Sequence, residues 1–136
     1  MGNLSVTGDI RTSGNITAFS DFSDRRLKTK TSDINDALGM IEKLQGFYYK
    51  PNEIAHKLGI KTTDVEIGLS AQDVQRVLPE LVKLAPVDCE RDKEGKLVSK
   101  SGNEYLTVCY ERLVPILVES IKELNKNYKN LIEEKG

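Results

Sequence analysis

Val114-Pro115-Ile116-Leu117-Val118-Glu119-Ser120-Ile121-Lys122-Glu123-Leu124-Asn125-Lys126-Asn127-Tyr128-Lys129-Asn130-Leu131 is the stretch on which the fold turns. Val114, Ile121 and Tyr128 fall seven residues apart, and Leu117, Leu124 and Leu131 repeat that interval three places later. These are the a and d rows of a heptad, the pattern of helices that wind round one another. A helix lying on the core of its own chain shows a wider apolar face. Here the second half narrows to the two rows amid Lys122, Glu123, Lys126, Lys129, Glu133 and Glu134. The pattern favours a coiled-coil seam over the alternative of a core helix, and the rows alone leave the number of strands open. Pro115 belongs near the helix start, because deeper in a helix it costs about 3 kcal/mol and bends the axis.

Upstream of that helix the chain reads as short mixed elements. Ser32 is placed to cap a helix running to about Leu44, with Ile34, Leu38, Ile41 and Leu44 at three- and four-residue spacing and Gly46 closing it. Phe47-Tyr48-Tyr49 predicts a strand stopped at Pro51, and Val65-Glu66-Ile67-Gly68-Leu69 a second, with loop or short helix between them. Ser70 with Asp73 resembles a capping box opening a helix over residues 72–77, ended by Pro79. A hairpin is expected from about Leu81 to Cys89 and Lys96 to Ser99 around Asp92-Lys93-Glu94-Gly95, then a last strand over residues 105–108. The expected fold class is α+β: a small mixed domain of short strands and helices ending in a long C-terminal helix.

The front of the chain has a different character. Gly8-Asp9-Ile10 recurs as Gly14-Asn15-Ile16, with Ser and Thr between and Leu4 and Val6 alternating before them. So short a β repeat buries too little apolar surface to stand alone, so it packs against copies of itself or stays unstructured. Residues 1–22 therefore read as the end of a fibrous β stem, with a tag of accidental similarity as the alternative, and residues 23–136 as a separate domain. Lys and Arg total 20 against 21 Asp and Glu, so the charge balance offers no general attraction to nucleic acid or an anionic membrane. The apolar stretches are a few residues long, and no charged and apolar leader opens the chain. Cys89 and Cys109 have neither metal-ligand spacing nor disulfide density, and the single His56 reads as a surface or half-buried histidine. No metal or cofactor is expected.

At the junction lies Ser23-Asp24-Arg25-Arg26-Leu27-Lys28. Serine needs a neighbouring base to act as a nucleophile, and a lysine kept neutral by burial or by nearby cations can serve. Arg25 and Arg26 are the adjacent cations. On a regular helix five residues separate Ser23 and Lys28 by roughly 140°, so chemistry between them requires a bend or loop. Without such a bend the six residues are a solvated turn or a helix cap.

In order, several segments resemble the intramolecular chaperone, or auto-processing peptidase, domain found at the C-terminus of phage endosialidases, tail spikes, tail fibres and neck appendages. A relative of that family occurs in a eukaryotic membrane-bound transcription factor. The resemblance starts at Ser23-Asp24-Arg25-Arg26-Leu27-Lys28 and runs through Ile34, Ala37-Leu38, Leu44 and Tyr48 or Tyr49 to Gly68-Leu69-Ser70-Ala71-Gln72-Asp73-Val74. It continues at Pro79-Glu80-Leu81-Val82, at Tyr105-Leu106-Thr107-Val108 with Tyr110 and Leu113, and at Ile121-Lys122-Glu123-Leu124. Thr31, Cys109 and Ser120 depart from the family's usual aliphatic residue, acid and alanine, and the segment from Pro51 to Asp64 is longer than usual.

The resemblance implies a domain that helps a fibrous homotrimer fold and then cuts itself off at the Phe22-Ser23 bond, a single-turnover serine peptidase acting in cis with Ser23 as nucleophile and Lys28 as base. Asp24, Arg26 and Gln72 are the supporting residues it suggests, Gln72 as an oxyanion donor, against the plainer reading of Gln72 as a glutamine bonding backbone or solvent. It makes the heptad rows Val114, Leu117, Ile121, Leu124, Tyr128 and Leu131 a parallel three-stranded seam. The partner is the upstream fibre stem of the same polypeptide, assembly takes place in the host cytoplasm, and the released product belongs to a virion tail or appendage. Two rival readings share the coiled coil: a non-catalytic trimerisation or attachment module, and the receptor-binding tip of a viral fibre.

Overall fold

A computed structural model of the chain describes residues 2–8, 10 and 23–135. The second copy of the front repeat and Phe22 lie outside the described residues, as does Asp9 of the first copy. The chain divides into two compact units, Met1–Asp33 and Ile34–Gly136. In the first, the described regular structure is a single 3-10 turn over Arg25–Leu27.

The second unit runs in the order α1 (Ala37–Glu42), β1 (Gly46–Tyr49), α2 (Glu53–Lys57), β2 (Glu66–Leu69), α3 (Ala71–Val77), β3 (Val82–Leu84), β4 (Cys89–Arg91), β5 (Leu97–Ser99), β6 (Leu106–Val108) and α4 (Leu113–Lys135). The strands form three antiparallel pairs, β1 with β2, β3 with β6 and β4 with β5. This is the mixed α and β architecture with a long last helix that the sequence predicts. Its core is small: Ala37, Val74, Leu78, Leu81, Leu113 and Ile116 are buried, with Met40, Ile41, Leu44, Leu69 and Val108 packed around them. Apart from Ala37, side chains of this size stabilise by about 1.5–3 kcal/mol each when fully buried, so the packing of α1, α3, β3 and β6 with the start of α4 around this cluster holds the unit together.

Local chemistry explains most boundaries. The Ser70 hydroxyl accepts from the Asp73 N–H at 3.4 Å and caps α3. The reciprocal arm of a capping box is replaced by an ion pair of the Asp73 carboxylate with Arg76 at 2.9 Å. Pro79 stops the helix and opens a 3-10 turn over Pro79–Leu81. Pro115 sits in the first turn of α4, where a missing N–H leaves no intrahelical bond unmade. Gly68 is required by close approach: a Cβ there would lie 2.8 Å from the Tyr110 hydroxyl, which accepts from the Leu69 N–H at 2.8 Å.

Two expectations are corrected. The first helix starts at Ala37, and Ser32 caps nothing in it. Asp36 precedes it in the left-handed region with φ of 54° and no side-chain cap. The acceptor comes instead from 86 residues away, where the Glu123 carboxylate of α4 accepts from the Ala37 N–H at 3.1 Å and the Leu38 N–H at 2.7 Å. Gly46 consequently opens β1 rather than closing a helix. The expected hairpin arm from Leu81 to Cys89 is also broken. β3 ends at Leu84 and pairs with β6, a 3-10 turn spans Pro86–Asp88, and only β4 turns back onto β5. Proline has no N–H to donate to a ladder, and the break at Pro86 lets the two short strands face different partners.

Candidate functional site

Asp24 sets the Ser23–Lys28 turn. Its backbone is extended and its carboxylate accepts from the Arg26 N–H at 2.8 Å, the capping bond of the 3-10 turn. The same carboxylate takes the Arg26 guanidinium in a fork, Nε at 3.1 Å and Nη2 at 2.8 Å. Backbone bonds from Leu27 to Asp24 and from Lys28 to Arg25 complete the turn, and Lys28 leaves it extended. The geometry differs from a regular α-helix, and the ends converge: Lys28 Nζ donates to Ser23 Oγ at 2.7 Å.

The electrostatics of the turn are local. The Arg26 side chain, and then its backbone N–H, hold the Asp24 carboxyl below the usual carboxylate range, while Asp24 raises the Arg26 guanidinium. Arg26 is therefore engaged by the carboxylate two residues before it. Every residue from Ser23 to Asp33 is exposed. The turn thus brings the Ser23 hydroxyl and the Lys28 amine within hydrogen-bond distance on an exposed surface.

Gln72 lies in the other unit, exposed in the first turn of α3, where its side-chain oxygen accepts from the Ser70 hydroxyl at 3.4 Å. His56 is exposed, with Nδ1 2.8 Å from the Ile60 carbonyl. Cys89 and Cys109 are free thiols. No cluster among the described residues could hold a metal ion, and no helix among them is long and apolar enough to cross a membrane.

The heptad residues form the other exposed feature. Val114, Leu117, Ile121, Leu124, Tyr128 and Leu131 are between 43% and 65% exposed. The face of α4 that its own chain covers is a different one, carrying Leu113, Ile116 and Ser120, with Glu123 capping α1 from the same side. Ser120 is buried there and donates to the Leu117 carbonyl at 2.9 Å, which explains why a residue of alanine size suits that position.

One buried group escaped the sequence reading. Asp88 is 4% exposed and accepts from Ser99 Oγ at 2.9 Å, Ser101 Oγ at 2.8 Å and the Ser101 N–H at 3.0 Å. Burial works to raise its pKa, but the Ser101 and Ser99 hydroxyls and the Ser101 N–H outweigh it and leave the carboxyl below its ordinary range. The network ties the β4–β5 hairpin to the turn before it. Its only sequence signal is the Ser99-Lys100-Ser101 pair that begins on the last residue of β5.

Residues 23–83 match the family described as chaperone of endosialidase, a family classed among peptidases. The match opens on Ser23. The long tail fibre protein Gp37 of Enterobacteria phage K3 is 35% identical over 126 residues, covering 91% of this chain and 9% of that protein. Gp37 of Enterobacteria phage M1 is 30% identical over 111 residues, 80% of this chain and 38% of the relative. Gp37 of Salmonella phage S16 is 27% identical over 109 residues, 80% of this chain and 14% of the relative. The chain therefore spans a minor part of each of these fibre proteins.

Proposed function

Because residues 23–83 belong to the chaperone of endosialidase family, we propose that this chain is the C-terminal intramolecular chaperone of a phage tail fibre, which aligns three stems and then releases itself by cutting the Phe22-Ser23 bond. The observation that carries the reading is the 2.7 Å contact between Ser23 Oγ and Lys28 Nζ at the first residue of the family match.

In the proposed reaction the neutral Lys28 amine takes the Ser23 hydroxyl proton as Oγ attacks the Phe22 carbonyl carbon. The C–N bond of that peptide breaks, the proton passes from Lys28 to the departing Ser23 amine, and an ester joins Phe22 to Ser23 Oγ. Water then hydrolyses the ester, giving a Phe22 carboxylate and a Ser23 N-terminus. Asp24 positions the dyad by capping the turn, and Arg26 secures Asp24. The oxyanion donor in this reading is a backbone N–H or a polar side chain, Gln72 being the candidate that the family resemblance suggests.

The exposure of Ser23 and Lys28 fits a site that is inactive in the single chain and is covered when three copies and their stems meet. Desolvation disfavours an ammonium, so covering the site would switch on the base. α4 is the clamp in this account: joining three chains at one end lowers the registration entropy that makes β assembly among separate chains slow. Removing the clamp afterwards leaves the stem trimer behind its unfolding barrier.

The same exposure is the one observation favouring the second reading, a trimerisation and attachment module without chemistry. Ser23→Ala separates the two. The chaperone reading expects the parent protein, expressed with its stem, to yield a fragment beginning at Ser23 that the variant never yields.

A further inference from the structure

The heptad rows do not exhaust the open face of α4. With Val114, Ile121 and Tyr128 at a, the e positions are Val118, Asn125 and Ile132, and Val118 and Ile132 are each 51% exposed. An open arc of a, d and e rows is wider than a two-stranded seam needs and suits three helices. The g positions are Leu113, Ser120, Asn127 and, in the last turn, Glu134. Leu113 and Ser120 are buried within their own chain, where α1 packs against α4.

In a parallel bundle in register, each g residue faces the e residue five places on in the next helix. The facing pairs are then Leu113 with Val118, Ser120 with Asn125 and Asn127 with Ile132. None of these pairs is charged. The charges between Glu119 and Glu133 lie on the outer b, c and f rows, where Glu119 and Lys122 pair within the helix at 2.9 Å and Glu123 is occupied in capping α1. Ion pairs across the seam therefore do not select the partner. What lies beside the g row is the docked α1, whose Met40, Ile41 and Leu44 are only partly buried in the single chain.

We propose that in the trimer Val118 of each copy packs on the shoulder formed by Leu113 and the docked α1 of the next copy, so that a chain joins the clamp only after folding its own α1 onto α4. The inference rests on the reading of α4 as a trimer seam. The occupant is a second copy of this chain, because the seven-residue repeat matches a helix of the same repeat. The Val118 row is also continuous with that seam. The shoulder makes assembly a check on folding.

Light scattering on the full chain across a concentration series tests this. Val118→Lys leaves the single-chain fold unchanged, since Val118 is exposed there, and raises the concentration at which the trimer half-dissociates by at least about tenfold. Glu119→Lys, one residue round on the outer row, shifts it by less than about twofold. Glu123→Ala, off the seam but at the α1 cap, weakens the trimer as well, and added salt leaves the parent trimer intact. A Val118→Lys trimer as tight as the parent overturns the shoulder contact while the clamp stands, and an unaffected Glu123→Ala trimer overturns the order of folding and assembly. A parent that stays monomeric at every concentration overturns the clamp reading, and this inference with it.

Discussion

α4 has one face completed by its own chain and one that is not. The closed face presents Leu113, Ile116 and the small buried Ser120 to α1, and its Glu123 carboxylate satisfies two N–H groups that open that helix. The open face presents six heptad residues and Val118 and Ile132, all at least 43% exposed. Past Glu123 the helix continues to Lys135 with every residue exposed, and an isolated helical segment of about 12–15 residues is marginal in water. The closed face makes the fold, and the open face is the one that the proposed assembly would use.

Breaking each face separately sharpens the contrast. Changing Leu117 and Leu124 together to Asp should abolish assembly at every accessible concentration while far-UV circular dichroism retains a folded unit; in the proposed mechanism it also stops cutting. Sedimentation analysis and a denaturing gel read the two effects, and a monomer that cuts at the parent rate separates cleavage from assembly. On the closed face, Ile116→Ala should cost about 2–5 kcal/mol of folding stability, seen as a lower urea midpoint. Glu123→Gln, which keeps the shape and loses the charge at the α1 N-terminus, should cost about 1 kcal/mol in the same measurement. Ser120→Ala is expected within about 0.5 kcal/mol of the parent, because its hydroxyl serves only a carbonyl of its own helix.

Asp88 gives the closed region a dependence on acid. Its folded pKa is depressed, so its contribution is fully present above the unfolded value of about 3.9. It is lost as pH falls through the folded value. Urea melts below about pH 4 should therefore show the parent losing stability more steeply than Asp88→Asn, and parallel slopes would remove Asp88 as the source.

Periodicity and caps were legible because they are local. The rows from Val114 to Leu131 mark α4, Ser70 and Pro79 bracket α3, and the aromatic run at Phe47 marks β1. The partner of α1 was not legible: Ser32 is a good capping residue by type, but the acceptor is Glu123 in a helix 86 residues on. The break at Pro86 shows the same limit, since an apolar run looks continuous until its two halves find different partner strands. At Ser23 and Lys28 the five-residue spacing ruled out a regular helix, and the turn that replaces it depends on the double engagement of Arg26 by Asp24. Asp24→Ala should accordingly slow cutting without changing the trimer, because it loosens the turn and leaves the seam untouched.

The most direct test of the central claim is intact-mass and N-terminal analysis of the purified protein over time, with Ser23→Ala and Lys28→Ala alongside. The account predicts a parent fragment beginning at Ser23, with both variants remaining full length. A parent that stays whole after forming its trimer, or variants that cut at the same bond, would contradict it.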